Sequence, residues 1–446
     1  MRRVGYFLSD LWFWLRGHPL RALGALVAVG AVGAGIYFLA TDVIGDEEPL
    51  PAPAPQAVIQ RVDSGEDEAN DLGFPAFATK NTTRVAGADP IADAAGAALA
   101  VFPSTGGVQG PPAVSLVDAE DWASGIAASS LVADPVGAPV LLTDGDEIPD
   151  VTASALRSLA PRGSAATDDR QAFRIGGAAK PEGLRTLDVG GADPAEVAAE
   201  VDRLRGRLTG SEPEHILVVS ADEPAFAMPA AAWAARSGDP VLFVTRKSVP
   251  KPTLDALGGH KDVPVYVLGP TSVVPAKVFE AINDAAPGAK RVAGPDPVQS
   301  AIAFARFTDG TFGWNINDPG HGFVVASTDR PADAGAAAPL SASGTWGPLL
   351  VTEEGNKLPP ALRGYLLDLK PGYVGDPTRA FYNHVWVIGD QDAISVGFQA
   401  QVDELAELAQ VKSGSGTSTL GPPPGVPDSE SPDEAPGRNS SNQNKP

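Results

Sequence analysis

The sequence predicts an α/β protein: three tandem doubly wound parallel-sheet domains, preceded by one transmembrane helix. Three observations predict it. A short phrase recurs at a domain-sized interval, as "RVAGADP" at 84–90, "VGGADP" at 189–194 and "RVAGPDP" at 291–297. The same order of short apolar runs and helical stretches follows each copy. Residues 22–40, "ALGALVAVGAVGAGIYFLA", form one uninterrupted stretch of apolar or small residues.

That stretch has nineteen residues and no charge, about the length that spans a bilayer. Arg16 and Arg21 precede it, and Asp42, Asp46, Glu47 and Glu48 follow it. The bias of positive charge toward the cytoplasm puts the N-terminus inside and everything after residue 41 outside. A cleaved signal peptide is the competing reading. The apolar run is longer than the usual signal core, and Pro55 after "APA" opposes processing there.

Residues 42–75 are Pro-rich, then acidic, with nine acids against Arg61 alone. Such a composition buries little and predicts an extended, solvated linker. Residues 411–446, with "GSGTSTLGPPPGVP" and "DSESPDE", predict a disordered tail on the same ground.

Between them lie the repeats, expected at 76–186, 187–288 and 289–410. Asp89, Asp193 and Asp296 are 104 and 103 residues apart, and Thr143, Thr245 and Thr352 are 102 and 107 apart. A period of that size means three copies of one domain rather than a short-period solenoid. "ILVVS", "PVLFVT" and "VYVLG" are continuous apolar runs, as in parallel strands covered on both faces. "PAFAMPAAAWAARSG" and "PAKVFEAINDAA" carry apolar residues at helical spacing. The alternation of strand and helix with short turns predicts a doubly wound sheet of the Rossmann/flavodoxin-like kind. In "G-x-D-P" the strand ends near Gly, Asp caps the next helix, and Pro takes the first helical position, where no N–H is needed.

The 446 residues are 43% hydrophobic and 20% charged, enough to bury a core in most of the chain. There is no Cys, which excludes disulfides, zinc-thiolate sites and a Cys nucleophile. The net charge of −22 repels polyanions at long range, so no nucleic-acid partner is expected.

These repeats resemble the cell wall-binding repeat type 2 family of Gram-positive bacteria, which usually occurs as three tandem copies. Repeat 3 carries the resemblance best, through "RVAGPDP", "RPADAGAAAPL", "GPLLVTEEGNKLPPALRGYL" and "VWVIGDQDAIS". Repeat 1 keeps "RVAGADP", "GAPVLLT" and "RIGG"; repeat 2 lacks the opening Arg but keeps "DPVLFVT" and "VYVLG". The resemblance covers roughly residues 80–410. It implies a non-catalytic module that holds a protein to anionic wall polymer. This chain departs from the family in placing Pro90, Pro194 and Pro297 where Arg usually follows the Asp.

No catalytic constellation stands out. The five histidines, His18, His215, His260, His321 and His384, show no paired ligand spacing, and the last two and His215 each precede a strand. They are expected to be ordinary surface or edge residues. No G-x-S-x-G elbow, P-loop or GxGxxG is present, so no cofactor is expected. Asp118, Glu120 and Asp121 follow a strand and are weak candidates for a carboxylate pair or a divalent-cation site, as are Asp329 and Asp333; the alternative is a capped, solvated helix start. A binding surface should be built from loops at the strand carboxyl ends. Its candidates are Thr143 and Asp144 in repeat 1, Thr245, Arg246 and Lys247 in repeat 2, and Thr352 and Glu353 in repeat 3. Arg246 and Lys247 are the only adjacent bases at such a position, so an anionic ligand would meet repeat 2.

The leading expectation is therefore a non-enzymatic protein, held to the membrane through residues 22–40, whose repeats bind wall polymer or an envelope protein. Two other classes remain: an enzyme or small-ligand receptor on the same fold, and an envelope scaffold that binds no glycan.

Overall fold

The computed structural model describes residues 78–102, 110–344 and 346–411. The segments read above as transmembrane helix (22–40) and acidic linker (42–75), and all of the tail (411–446) but Val411, lie outside the described residues. Among the described residues, no helix is long and apolar enough to cross a membrane.

Three four-stranded parallel sheets are built to one plan. The first holds β2 (Val114–Asp118), β3 (Val140–Thr143), β4 (Ala172–Ile175) and β5 (Thr186–Val189), in the order β3-β2-β4-β5. The second holds β6 (Ile216–Ser220), β7 (Val241–Val244), β8 (Val265–Leu268) and β9 (Lys290–Val292), in the order β7-β6-β8-β9. The third holds β10 (Gly322–Ser327), β11 (Leu349–Thr352), β13 (His384–Ile388) and, as its fourth strand, β1 (Thr82–Val85). Its order is β11-β10-β13-β1. A small parallel ribbon joins β12 (Gly372–Tyr373) to β14 (Ala409–Gln410). In each sheet the first strand after the phrase, β2, β6 or β10, lies second, so the strand order reverses beside it, as in flavodoxin-like order.

The fourth strand of every sheet is the recurring phrase of the next repeat. Among the described residues no further phrase follows repeat 3, and the phrase of repeat 1 takes the place: Thr82–Val85 runs beside Val385–Ile388. The sheets therefore close in a circle. The helix after each phrase then crosses over to its own repeat. Helix α1 (Pro90–Val101) packs on β3, α4 (Pro194–Thr209) on β7 and α8 (Pro297–Arg306) on β11. The thrice-written phrase is thus the joint between neighbouring sheets.

Its local chemistry follows from the residues. The side chains of Asp89, Asp193 and Asp296 accept from the backbone N–H groups of Ala92, Glu196 and Gln299 at 2.8, 2.9 and 2.7 Å. Each Asp is in extended backbone, and Pro follows at the first helical position. The Gly two residues before each Asp lets the turn ride over the first helical turn. A Cβ on Gly191 would stand 2.5 Å from Val197 N, and Gly87 and Gly294 are as tight.

Three helices meet where the repeats converge: α2 (Trp122–Ala128), α5 (Pro224–Ser237) and α9 (Asp333–Ala342), each following the first strand of its repeat. They are rich in Ala, with Gly in α2 and α9, and are buried nearly all round. The small side chains let the backbones close in: a Cβ on Gly335 would come 2.8 Å from the carbonyl of Gly125. The remaining helices are α3 (Asp150–Leu159), α6 (Lys251–Gly259), α7 (Ala276–Ala285), α10 (Pro360–Asp368) and α11 (Val396–Ala406). A hydrophobic core from Val85 to Ala406 runs through all three repeats, and a second, smaller one within repeat 1 gathers Leu99, Leu116, Leu141 and Leu159.

Candidate functional site

The strand carboxyl ends gather polar loops in all three sheets, and those of repeat 3 form a cleft. There Asp329 and Arg330 follow β10, Glu353 and Glu354 follow β11, and Asp390 and Asp392 follow β13. With Ala88 from the joint they line a cleft of about 590 Å³. It is acidic, and Arg330 is its one cation.

Arg330 is itself committed below the cleft. Its Nη2 donates to the Asp93 carboxylate, and its Nε lies 3.0 Å from Asp333 Oδ2. Both carboxylates are fully buried. Asp93 stands on α1 and Asp333 on α9, so the guanidinium ties repeat 1 to repeat 3. Gly87 N–H also donates to Asp93 Oδ1 at 2.8 Å. Burial, and then the nearby Asp333 charge, raise the Asp93 carboxyl well above the usual carboxylate range. Burial pushes Asp333 up to about 7, against the pull of Arg330. The arrangement is a buried latch at the ring closure, with the Arg330 guanidinium between two carboxyl groups.

Arg84 supports the same closure. It is fully buried. Its Nη1 donates to the carbonyls of Gly389 and Asp390, both at 2.7 Å, and its Nε to Gln399 Oε1 at 2.9 Å. Arg291, the matching residue in the phrase of repeat 3, holds the carbonyls of Gly269 and Val274 at 2.6 and 2.9 Å. In repeat 2 the position is Asp188. It faces Arg174 across the β4–β5 register, 3.7 Å apart, and Arg174 Nε donates to the Ala178 carbonyl instead. The opening Arg of the phrase is thus a clamp on the preceding repeat's strand-to-helix turn.

The residues singled out from the sequence lie on three separate sheets and do not converge. Thr143 and Thr352 are fully buried. Thr143 accepts from Ala179 N–H at 3.2 Å, and Thr352 Oγ1 donates to the Glu354 carbonyl at 2.9 Å; both shape their turns. Asp144 is exposed and exchanges backbone hydrogen bonds with Glu147. Asp118 Oδ1 accepts from Glu120 N–H at 3.1 Å and Gly145 N–H at 3.4 Å. Asp121 caps α2 and accepts from Ser124 N and Oγ. Both carboxylates are thus satisfied within their turns. Among the described residues, no group of three His, Asp or Glu could hold a metal ion.

In repeat 2, Thr245 Oγ1 donates to the Ser248 carbonyl at 3.1 Å. Arg246 Nη2 donates to the Ser272 carbonyl at 2.6 Å and meets Glu223 at 3.3 Å, while its N–H donates to Asp222. Half of its side chain still faces solvent, and Lys247 beside it is exposed. Glu353 is exposed and lines the acidic cleft.

Two features escaped the sequence reading. The Arg330–Asp93 pair joins residues 237 apart, and the only local sign of it was a lone Asp in the Ala-rich run "IADAAGAALAV". His215, expected at a surface or edge, is only 5% exposed. Its Nδ1 meets Asp239 Oδ2 at 3.1 Å and its Nε2 meets Thr311 Oγ1 at 3.0 Å, with Trp233, Tyr266 and Phe312 around the ring. The apolar side chains that follow it in "HILVV" place it at the mouth of the core.

Residues 189–279 and 291–399 match the family described as "Cell wall binding domain 2 (CWB2)". Among solved structures the chain is similar to Cwp8 from Clostridium difficile, at 18% identity and a TM-score of 0.56 over 74% of this chain and 52% of that one. It is also similar to Cwp6 from Clostridium difficile, at 19% identity and a TM-score of 0.53 over 72% and 48%. The chain thus spans about half the length of these structures, and the likeness is one of fold. No curated protein sequence matches it.

Proposed function

We propose that this chain, whose residues 189–279 and 291–399 belong to the cell wall binding domain 2 family, is a non-catalytic envelope protein that binds wall polymer. Residues 22–40 anchor it in the cytoplasmic membrane with its N-terminus inside, and the repeats face the wall. The match over two repeats carries this reading. The closed ring supports it, since such an arrangement presents three sets of carboxyl-end loops from one rigid body.

The polymer contact is at repeat 2. The cleft of repeat 3 is acidic and repels an anionic chain, whereas Arg246 and Lys247 present positive charge at the carboxyl end of β7. Asp118 and Asp121 are satisfied by their own turns, which disfavours bridging by a cation there. The test is retention on purified walls, with and without their anionic polymer. Retention should need the polymer, fall several-fold in Arg246→Ala/Lys247→Ala, weaken with salt and ignore a chelator. Loss of retention with chelator, and none in the double variant, would move the contact to a cation site. Equal retention on stripped walls would sink the polymer reading.

A further inference from the structure

Among the described residues, seven large hydrophobic side chains stand exposed, and five of them belong to one end of repeat 3. They are Leu367, Val374, Phe381, Tyr382 and Val411, with Phe381 71% and Val374 68% exposed. Residues 374–383 lead into β13, so they lie at the amino ends of the third sheet, opposite the acidic cleft. Val411 is fixed beside them, its N–H donating to the Tyr373 carbonyl at 2.9 Å. The aromatic rings are held from below. Tyr382 OH donates to the Pro377 carbonyl at 2.8 Å, and Phe381 lies against Gly320, where a Cβ would meet the Phe381 Cβ at 3.0 Å and its ring carbons at 3.2 Å. An apolar platform of this kind on one end of a domain marks a contact surface.

The chain itself continues from the edge of this platform. After Val411 come eight Gly-, Ser- and Thr-rich residues, "KSGSGTST", and then "LGPPPGVP" at 420–427. A Gly/Ser-rich spacer of eight residues has a root-mean-square span of about 16 Å, which keeps the segment after it close to Val411. Pro-rich segments bind aromatic platforms because their extended left-handed helix is already formed and loses little entropy. Asp428 and Glu430 follow the Pro run, and Arg379 is exposed within the platform loop. Asp368, Asp376 and Glu404 at the rim disfavour an anionic bilayer instead.

We propose that the platform of Val374, Phe381 and Tyr382 is a docking site for a polyproline-type segment, and that residues 420–427 of this chain occupy it. A short tether holds the segment at an effective concentration near millimolar. A segment that binds at about 100 µM when free is then docked roughly ten times as often as not. A Pro-rich segment of another envelope protein reaches the platform only by displacing the tail.

The test is hydrogen exchange of residues 374–383 in the full chain held in detergent micelles. Exchange should be about ten-fold slower in the parent than in a tail variant with Leu420, Pro422, Pro423 and Pro424 all changed to Ala. A synthetic peptide of residues 417–430 should restore protection to the tail variant. It should do nothing when that variant also carries Phe381→Ser and Tyr382→Ser, whose side chains are solvent-exposed and whose loss leaves the core intact. Equal exchange in parent and tail variant overturns the proposal. So does protection that grows with chain concentration, which means a second copy on the platform. Protection that arises only with phosphatidylglycerol vesicles overturns it in favour of a lipid surface.

Discussion

His260 shows how a side chain outside every motif can set a property of the whole molecule. It caps the C-terminal end of α6. Its Nε2 meets Asp202 of α4 at 2.8 Å, and its Nδ1 meets Glu212 in the loop after α4. The hydrogen bond to Asp202 is the main reason its pKa rises to about 9, and partial burial opposes the rise. A histidine with a raised pKa binds its proton more tightly in the folded state. Its contribution is therefore fully present below the unfolded value near 6.5 and is lost as pH rises through about 9. Glu212 is largely solvated, so the contribution should be only ~1–2 kcal/mol after screening. Unfolding free energies from urea melts at pH 6 and pH 10 should differ by that amount in the parent. They should differ by much less in His260→Gln. An equal difference in both would place the pH response elsewhere, the Asp93–Asp333 pair being the next to test. That pair acts at lower pH: a raised carboxyl pKa lowers stability as pH climbs from about 4 toward 7. None of this was legible from the sequence, where His260 stands in a loop-like "GGHKD" and its partners lie 58 and 48 residues away.

Elements were more legible than the partners they choose. The G-x-D-P turn was readable because capping is local: one carboxylate, one N–H three residues on, and a proline that needs no donor. The apolar runs were readable as parallel strands for the same reason of local pattern. Which sheet the phrase strand joins is not written in the phrase: β5 and β9 pair with strands 14 and 24 residues back, whereas β1 pairs with β13, 303 residues on. The Ala- and Gly-rich runs read as ordinary helices, with no sign that three of them would meet. That meeting has a sharp consequence at Gly335. A methyl group there would enter the carbonyl of Gly125, which is backbone and cannot swing aside. Gly335→Ala should cost ~2–3 kcal/mol by overpacking, although alanine is the better helix former. Gly364, in α10, has open space around its Cβ position. Gly364→Ala should stabilise by ~0.5–1 kcal/mol. Opposite signs in matched melts would confirm that backbone contact sets the cost at Gly335. A stabilising Gly335→Ala would mean that α2 and α9 are not so closely packed.

At the scale of the whole molecule, the offset between repeat and sheet makes three domains into one body. Each sheet borrows its last strand, so no repeat can unfold without stripping an edge from its neighbour. In an open array the terminal repeats would fray first. Here the borrowed strand of repeat 3 comes from the far end of the chain, and Arg84 clamps it. Its guanidinium is fully buried, and burial lowers its pKa to about 10. Arg84→Met would leave the carbonyls of Gly389 and Asp390 and the amide of Gln399 without this donor, inside the fold. A loss of ~2–4 kcal/mol is expected from buried acceptors left unpaired. Arg291→Met, at the joint between repeats 2 and 3, removes two such bonds from a less buried site and should cost less. The shape of the transition tests the ring itself. With one core shared by all three repeats, the calorimetric and van't Hoff enthalpies of the parent should agree. Arg84→Met should shift that single transition down as a whole, because a strand lost from repeat 3 also unseats α1 from repeat 1. If Arg84→Met instead split the melt, with one repeat released early and the other two unmoved, the sheets would be neighbours in a row and the circle would carry no shared stability.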